Sequence, residues 1–357
     1  MLEDSLDKYV QQDVEKIVQD DSIPWGYFEG KSILVTGATG LIGSLLIKTL
    51  ACRNRLFGSR ITIKALVRNE IKAKQIFRDV LGRDFFEIIV NDVCDPIKTS
   101  QVDYIIHGAS STSSVDFVNK PVEIIWTSIQ GTRNILEFAK GNGVAGVVYL
   151  SSLEYYGIPT KQNVAETDLG YLNPTSTRSS YSESKRMAEC MCVSYASEYK
   201  VPVKAVRLAQ TFGPGVSVSD NRVFAHFSRS IINNENIILH TKGETTRNYC
   251  YTADAVSGIL IVLAKGNPGD AYNIANPNTT ISIAEMAKFV CKNFGKDKSQ
   301  LEFDLCKDES VFGYNPTMKI SLVADKISNL GWTAKTNLYE MFEKTIASLR
   351  LKLQSSM

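Results

Sequence analysis

The chain has little net charge, few histidines and no long apolar runs. Its 40 lysines and arginines nearly balance 38 aspartates and glutamates, leaving a formal net charge of +2. No strong field therefore directs it to nucleic acid or to a membrane surface. No apolar stretch approaches the length of a bilayer span. The three histidines, 107, 226 and 240, form no recognisable constellation. His107 ends an apolar run and reads as structural or cofactor-adjacent. The seven cysteines, at 52, 94, 190, 192, 250, 291 and 306, are odd in number and have no metal-type spacing. They are expected to be reduced packing residues, with no bound metal. Repeats, low-complexity tracts and a signal-peptide pattern are all missing. A cytoplasmic protein of ordinary composition, 44% apolar and 22% charged, is the expectation.

What is present is a regular alternation. Leu6, Val10, Val14 and Val18 stand four apart, which suits a helix packed on one side, so residues 1–30 read as an N-terminal helical extension. Short β-branched runs then alternate with longer amphipathic ones. KSILVTG (31–37), ITIKALVR (61–68), FEIIVND (86–92), DYIIHGAS (103–110) and VAGVVYLSS (144–152) read as strands. Residues 41–53, 72–82 and 122–143 read as helices. This order predicts right-handed βαβ units and a parallel sheet. After about residue 200 the pattern loosens into short strands and loops, with helices at 282–294 and 337–352. A smaller α/β substrate domain, mainly 206–357 and interleaved with the first (31–205), is expected over the sheet's C-terminal edge.

The turn TGATGLIGS (36–44) joins the first strand to the first helix. Gly37 permits the tight turn, Gly40 lets backbone approach a pyrophosphate, and Gly43 lets the helix pack close to the sheet. Leu41 and Ile42 open the helix, whose free N–H groups favour phosphate. The expected fold is therefore a Rossmann-type doubly wound sheet binding NAD or NADP. Asp92, Val93 and Ala109 complete the expected cofactor contacts. Arg68 stands where an acidic residue would grip the adenosine ribose. It either accepts a 2′-phosphate, favouring NADP, or begins a solvated helix face.

In TRSSYSESKRMAECMCVSYASEY (177–199), Ser180 and Glu183 have the spacing of a capping box. Tyr181 and Lys185 then share one face. A phenol is a poor base at neutral pH, but an adjacent ammonium and an oxidised nicotinamide both favour phenolate. Tyr181 could thus take a hydroxyl proton while hydride leaves carbon, with Ser152 holding the substrate oxygen.

TGATGLIGS, HGAS, SSLEYYG, YSESK, RLAQTFGP and RNYCYTADAV together resemble the extended short-chain dehydrogenase/reductase family. More narrowly, they resemble the NAD-dependent nucleotide-sugar epimerases and dehydratases, including UDP-glucuronate decarboxylases. The likeness runs from about residue 31 to about 345. It implies a nucleoside-diphosphate sugar substrate and a homodimer through a four-helix bundle built from helices near 121–141 and 180–199. It assigns Ser152, Tyr181 and Lys185 as the catalytic triad. It places Ser111, Gln210, Arg222, Phe224 and Arg247 at the substrate, with Arg247 at the diphosphate, which a guanidinium suits. Asp254 is expected to cap the helix ADAVSGILIVLA. The chain departs from the family pattern at Arg68, at Ser128, where asparagine is usual, and at Gln210, also usually asparagine.

Oxidising C4 of a sugar acidifies C5. A 4,6-dehydratase then needs a C5 base and an acid to expel the C6 hydroxyl, in the resembling enzymes a glutamate and the aspartate before it. Here the pair is Leu153-Glu154. Leucine cannot donate a proton, so a dehydratase is disfavoured. Glu154 remains compatible with an epimerase, a decarboxylase, an NADPH-dependent keto-sugar or keto-polyol reductase, or a role as local anchor. A dinucleotide sensor without catalysis is the alternative from another class, and the intact triad speaks against it.

Overall fold

The structure, a computed structural model, describes residues 2–110, 112, 114–296, 298–305 and 317–355. The first part of the chain runs α1 (Lys8–Val18), β1 (Ser32–Thr36), α2 (Leu41–Phe57), β2 (Thr62–Val67), α3 (Glu70–Ile76), β3 (Phe86–Val90), β4 (Tyr104–His107), α4 (Ser114–Asn119), α5 (Pro121–Asn142) and β5 (Gly146–Ser152). It continues with β6 (Asn163–Val164), α6 (Ser180–Tyr199), β7 (Val203–Leu208), β8 (Gln210–Phe212), α7 (Val223–Asn233), β9 (Ile237–Leu239), β10 (Thr246–Tyr251) and α8 (Thr252–Lys265). The remaining elements are β11 (Ala271–Ile274), β12 (Asn276–Ser282), α9 (Ile283–Phe294), β13 (Leu301–Phe303), β14 (Lys319–Leu322), α10 (Asp325–Ser328) and α11 (Leu338–Ser355).

Seven strands form one sheet in the order β11-β7-β5-β4-β1-β2-β3, every pair parallel. The central strands are buried on both faces, as continuous apolar runs require. From β1 the chain passes to β2 on one side, and from β3 it crosses back to β4 on the other. The crevice at the C-terminal ends of β1 and β4 is thus the topological switch point, where such sheets bind ligands. A second sheet, β12-β10-β14-β6 with β8 beside β10, begins where β7 runs directly into β8, whose Gln210 and Thr211 line the crevice. It borrows β6 from the first half of the chain, and the large sheet takes β11 from the second half.

Residues 1–30 are knitted into the main core. Asp7 caps α1 through the N–H groups of Tyr9 and Val10 at 3.1 and 3.3 Å. Val10, Val14, Ile17 and Val18 are buried, and α1 packs on α2, α8 and α11. Leu6 precedes the cap and stays 59% exposed, so the apolar stripe begins at Val10. Buried Asp13 accepts from Lys344 at 2.8 Å and from the Tyr251 hydroxyl. Fully buried Glu3 meets Arg55 at 2.9 Å and Arg83 at 3.4 Å. A buried carboxylate requires such partners.

The helix expected at 72–82 is shorter and earlier, Glu70–Ile76, capped by Asn69 on the Lys72 N–H. Asp254 does not cap α8, whose N-cap position is Tyr251. Its carboxylate instead accepts from the backbone N–H groups of Lys335 and Thr336, at 3.1 and 2.9 Å. Tertiary contact has claimed the residue that local spacing offered as a cap.

Candidate active site

Gly37 has φ +67°, and a Cβ there would sit 2.4 Å from the Gly108 carbonyl oxygen. A Cβ on Gly43 would sit 2.4 Å from the Gly37 oxygen. Both positions therefore exclude any side chain. On Gly40 the nearest atom would be 3.2 Å away, and this glycine opens toward the cavity. Gly40 is the N-cap of α2 with no side-chain cap, so the first N–H groups of this 17-residue helix face the crevice.

The ends of β1 and β4 are tied by a buried relay. The Thr36 hydroxyl accepts from the Gly108 and Ala109 N–H groups at 3.2 Å each and lies 2.7 Å from His107 Nδ1. It therefore donates to Nδ1, and the proton on Nε2 is donated to Thr132 Oγ1 at 3.2 Å. Burial, then the Lys185 charge, push His107 down to about 3, so it is neutral. Its role is to fix the loop after β4.

A cavity of about 680 Å³ opens above these strand ends, within the range of ligand pockets. Gly37, Gly40, Leu41, Ile42, Gly43, Arg68, Asp92, Val93 and Ala109 all line it. Arg68 is 73% exposed and stands 3.9 Å from Asp92. The Asp92 carboxylate also accepts from the Cys94 N–H at 2.9 Å. The glycine cradle and the free helix N-terminus fit NAD.

At the other end lie Ser152, Tyr181 and Lys185. The Lys185 ammonium donates to the Leu150 carbonyl at 2.8 Å and lies 5.5 Å from the Tyr181 ring centroid. Burial pushes Lys185 down to about 8, against the pull of Glu189 and Cys192. Tyr181 is pushed above its ordinary value by burial and then by the Glu154 charge. A hydrogen bond with Ser152, together with Arg222 and Arg178, acts the other way. Proximity to lysine alone therefore does not make Tyr181 a phenolate. The positive charge of an oxidised nicotinamide would have to contribute.

Nor is α6 begun by a capping box. The Ser180 hydroxyl donates to the Phe117 carbonyl at 3.0 Å, and a short turn, Thr177–Ser179, leads into the helix. That contact brings α4 over the site, where Phe117 stacks on Tyr181 with centroids 4.2 Å apart. Glu154 lines the cavity and is gripped from behind by Arg178, Nη1 to Oε2 at 3.1 Å and Nη2 to Oε1 at 2.9 Å. Leu153 is 4% exposed and packs into the main core.

The substrate residues inferred from resemblance divide. Gln210 and Arg222 line the cavity, and Arg222 is paired with Asp220 at 2.6 Å. Phe224 does not line it: the ring is fully buried and stacks on Phe212 at 4.6 Å, because the apolar face of α7 turns inward. Arg247, on β10, also lies off the cavity wall, and among the described residues its buried Nε has no hydrogen-bond partner. Ser111 lies outside the described residues. Sequence reasoning missed Arg178 and Phe117. The signal for Arg178 was a cation three residues before Tyr181; Phe117 offered none.

A model of the NAD dependent epimerase/dehydratase family matches residues 33–275. The chain belongs to this family. It is an enzyme of an NAD-dependent family, and its relatives are themselves named enzymes. UDP-glucuronic acid decarboxylase 6 of Arabidopsis thaliana is 31% identical over 308 residues, covering 81% of this chain and 85% of the relative. The human dTDP-D-glucose 4,6-dehydratase is 28% identical, covering 90% and 91%. Among solved structures, the UDP-glucuronic acid 4-epimerase from Bacillus cereus with NAD superposes with a TM-score of 0.73 at 20% identity, covering 89% and 98%. At that identity the likeness concerns the fold.

Tyr181→Phe should retain NAD binding, measured by fluorescence titration, and lose turnover by about 10²-fold or more. Turnover near the wild-type rate would remove Tyr181 from the chemistry.

Proposed function

We propose that the chain acts on a nucleoside-diphosphate sugar through a 4-keto intermediate, as a redox-neutral decarboxylase of a nucleotide-linked hexuronate. The observation that carries this reading is the strand end Ser152-Leu153-Glu154. The position that would expel a C6 hydroxyl holds a buried, apolar leucine. The neighbouring glutamate is already forked to an arginine. A hexuronate needs neither group for elimination. The named decarboxylase relatives, with UDP-glucuronic acid in their names, support the same choice.

NAD, which the glycine turn Gly37–Gly43 would hold, would supply a reversible hydride acceptor for sugar C4. Tyr181, as phenolate, takes the C4 hydroxyl proton, and Ser152 holds that oxygen. Lys185, anchored on the Leu150 carbonyl, places its charge beside the phenol. The ketone at C4 makes the substrate a β-keto acid. The bond from C5 to the carboxylate breaks, carbon dioxide leaves, and the electron pair passes toward the C4 oxygen. C5 takes up a proton from solvent, and Tyr181 gives its proton back to the C4 oxygen as the ketone is reduced. Water exclusion comes from Phe117 over Tyr181. Arg222 and Gln210, which line the cavity, suit the nucleotide-sugar end.

Incubation with UDP-glucuronate should release carbon dioxide and a UDP-pentose without net NADH, followed by mass spectrometry. A UDP-hexuronate of unchanged mass and altered C4 configuration would mean epimerase. Steady consumption of NADPH with a keto sugar would mean reductase, the reading Arg68 would suit.

The same reading includes a homodimer through α5 and α6. These helices pack together and leave Val122, Ile125 and Trp126, and Met187 and Val193, exposed. Exposed apolar stripes on adjacent helices are surfaces a second copy would cover. Trp126→Glu should turn a dimer into a monomer in sedimentation; a wild-type chain that sediments as a monomer ends the proposal.

A further inference from the structure

We infer that Arg178 is a positioning residue that works through Glu154, fixing its carboxylate on the cavity wall and cancelling its charge beside Tyr181. The inference rests on the hydride-transfer role proposed for Tyr181. Arg178 itself does not line the cavity; Glu154 does. The fork between them is closed by two bonds, at 3.1 and 2.9 Å, and the Ser182 hydroxyl adds a third to Oε2 at 3.2 Å. Both side chains are mostly buried, at 17% and 13% exposure, where a bidentate pair is stiff and directional.

The same guanidinium lies 4.9 Å from the Phe117 ring centroid, and Phe117 stacks on Tyr181. Arg178 also sits in the short turn that leads into α6, three residues before Tyr181. One side chain thus joins the carboxylate, the stacking ring and the helix that carries the phenol.

The charge argument has a sign. Groups facing Tyr181 are Glu154 from the turn after β5, Lys185 on α6, Arg178, Arg222 before α7, Asp116 on α4 and buried Tyr149 on β5. Glu154 is the anion that disfavours phenolate, and Arg222 and Arg178 oppose it. Without Arg178 less of the Glu154 charge is offset at close range, and phenolate forms only at higher pH.

The test is a double-mutant cycle in the full-length, NAD-loaded protein with UDP-glucuronate. Arg178→Gln should lower kcat by about tenfold or more and move the rising limb of its pH profile upward. Arg178→Lys should recover part of the rate. In Arg178→Gln/Glu154→Gln the limb should return, and the rate should be no lower than in Glu154→Gln alone. A limb unmoved by Arg178→Gln, or losses that simply add, overturns the inference. If the wild type turns over no UDP-sugar, the functional reading fails by itself. The coupling is then read from phenolate absorbance, as the difference from Tyr181→Phe. An upward shift in Arg178→Gln that vanishes in the double variant supports it, and equal titration in all variants overturns it.

Discussion

The structure turns on one backbone contact, the approach of the β1 turn to the loop after β4. Gly37 and Gly108 lie so close that a single Cβ would sit 2.4 Å from a carbonyl oxygen. Everything functional is referenced to that contact. The N-terminus of α2 points into the crevice because Gly37 and Gly43 let the helix lie against the turn. The β4 loop is fixed because Thr36 binds its two N–H groups and His107. The burial that keeps His107 neutral keeps the tie intact across ordinary pH.

The chemistry at the other end sets burial against charge. Desolvation pushes Tyr181 up and Lys185 down, so each group's neutral form is favoured. A bare Tyr-x-x-x-Lys spacing does not describe this balance. Glu154 would tilt it further against phenolate, and Arg178 and Arg222 restore part of it. The site is a set of compensating charges around one phenol, closed over by Phe117.

Features with a local cause were legible in the sequence. Strands buried on both faces read as apolar runs, and the glycine turn announced itself by spacing between strand and helix. Tyr181 and Lys185 are one helical turn apart, so their common face follows from period alone. What was hidden is non-local. Arg178 and Glu154 are 24 residues apart, and nothing in either segment marks the other. Ser180 was claimed by the Phe117 carbonyl, 63 residues away, rather than by its own helix. Phe224 went to the core because α7 turns its aromatic face inward, and motif position says nothing of that rotation. The first 30 residues read only as a helical extension because their partners, Tyr251 and Lys344, lie hundreds of residues on.

The central claim is a hydride removed from C4 and returned to it. It is tested most directly with UDP-glucuronate carrying deuterium at C4, followed by NMR of the product. The account predicts a UDP-pentose that retains the deuterium at C4, with no net change in NAD. Deuterium that is lost to solvent, or that accumulates in released reduced cofactor, would contradict it.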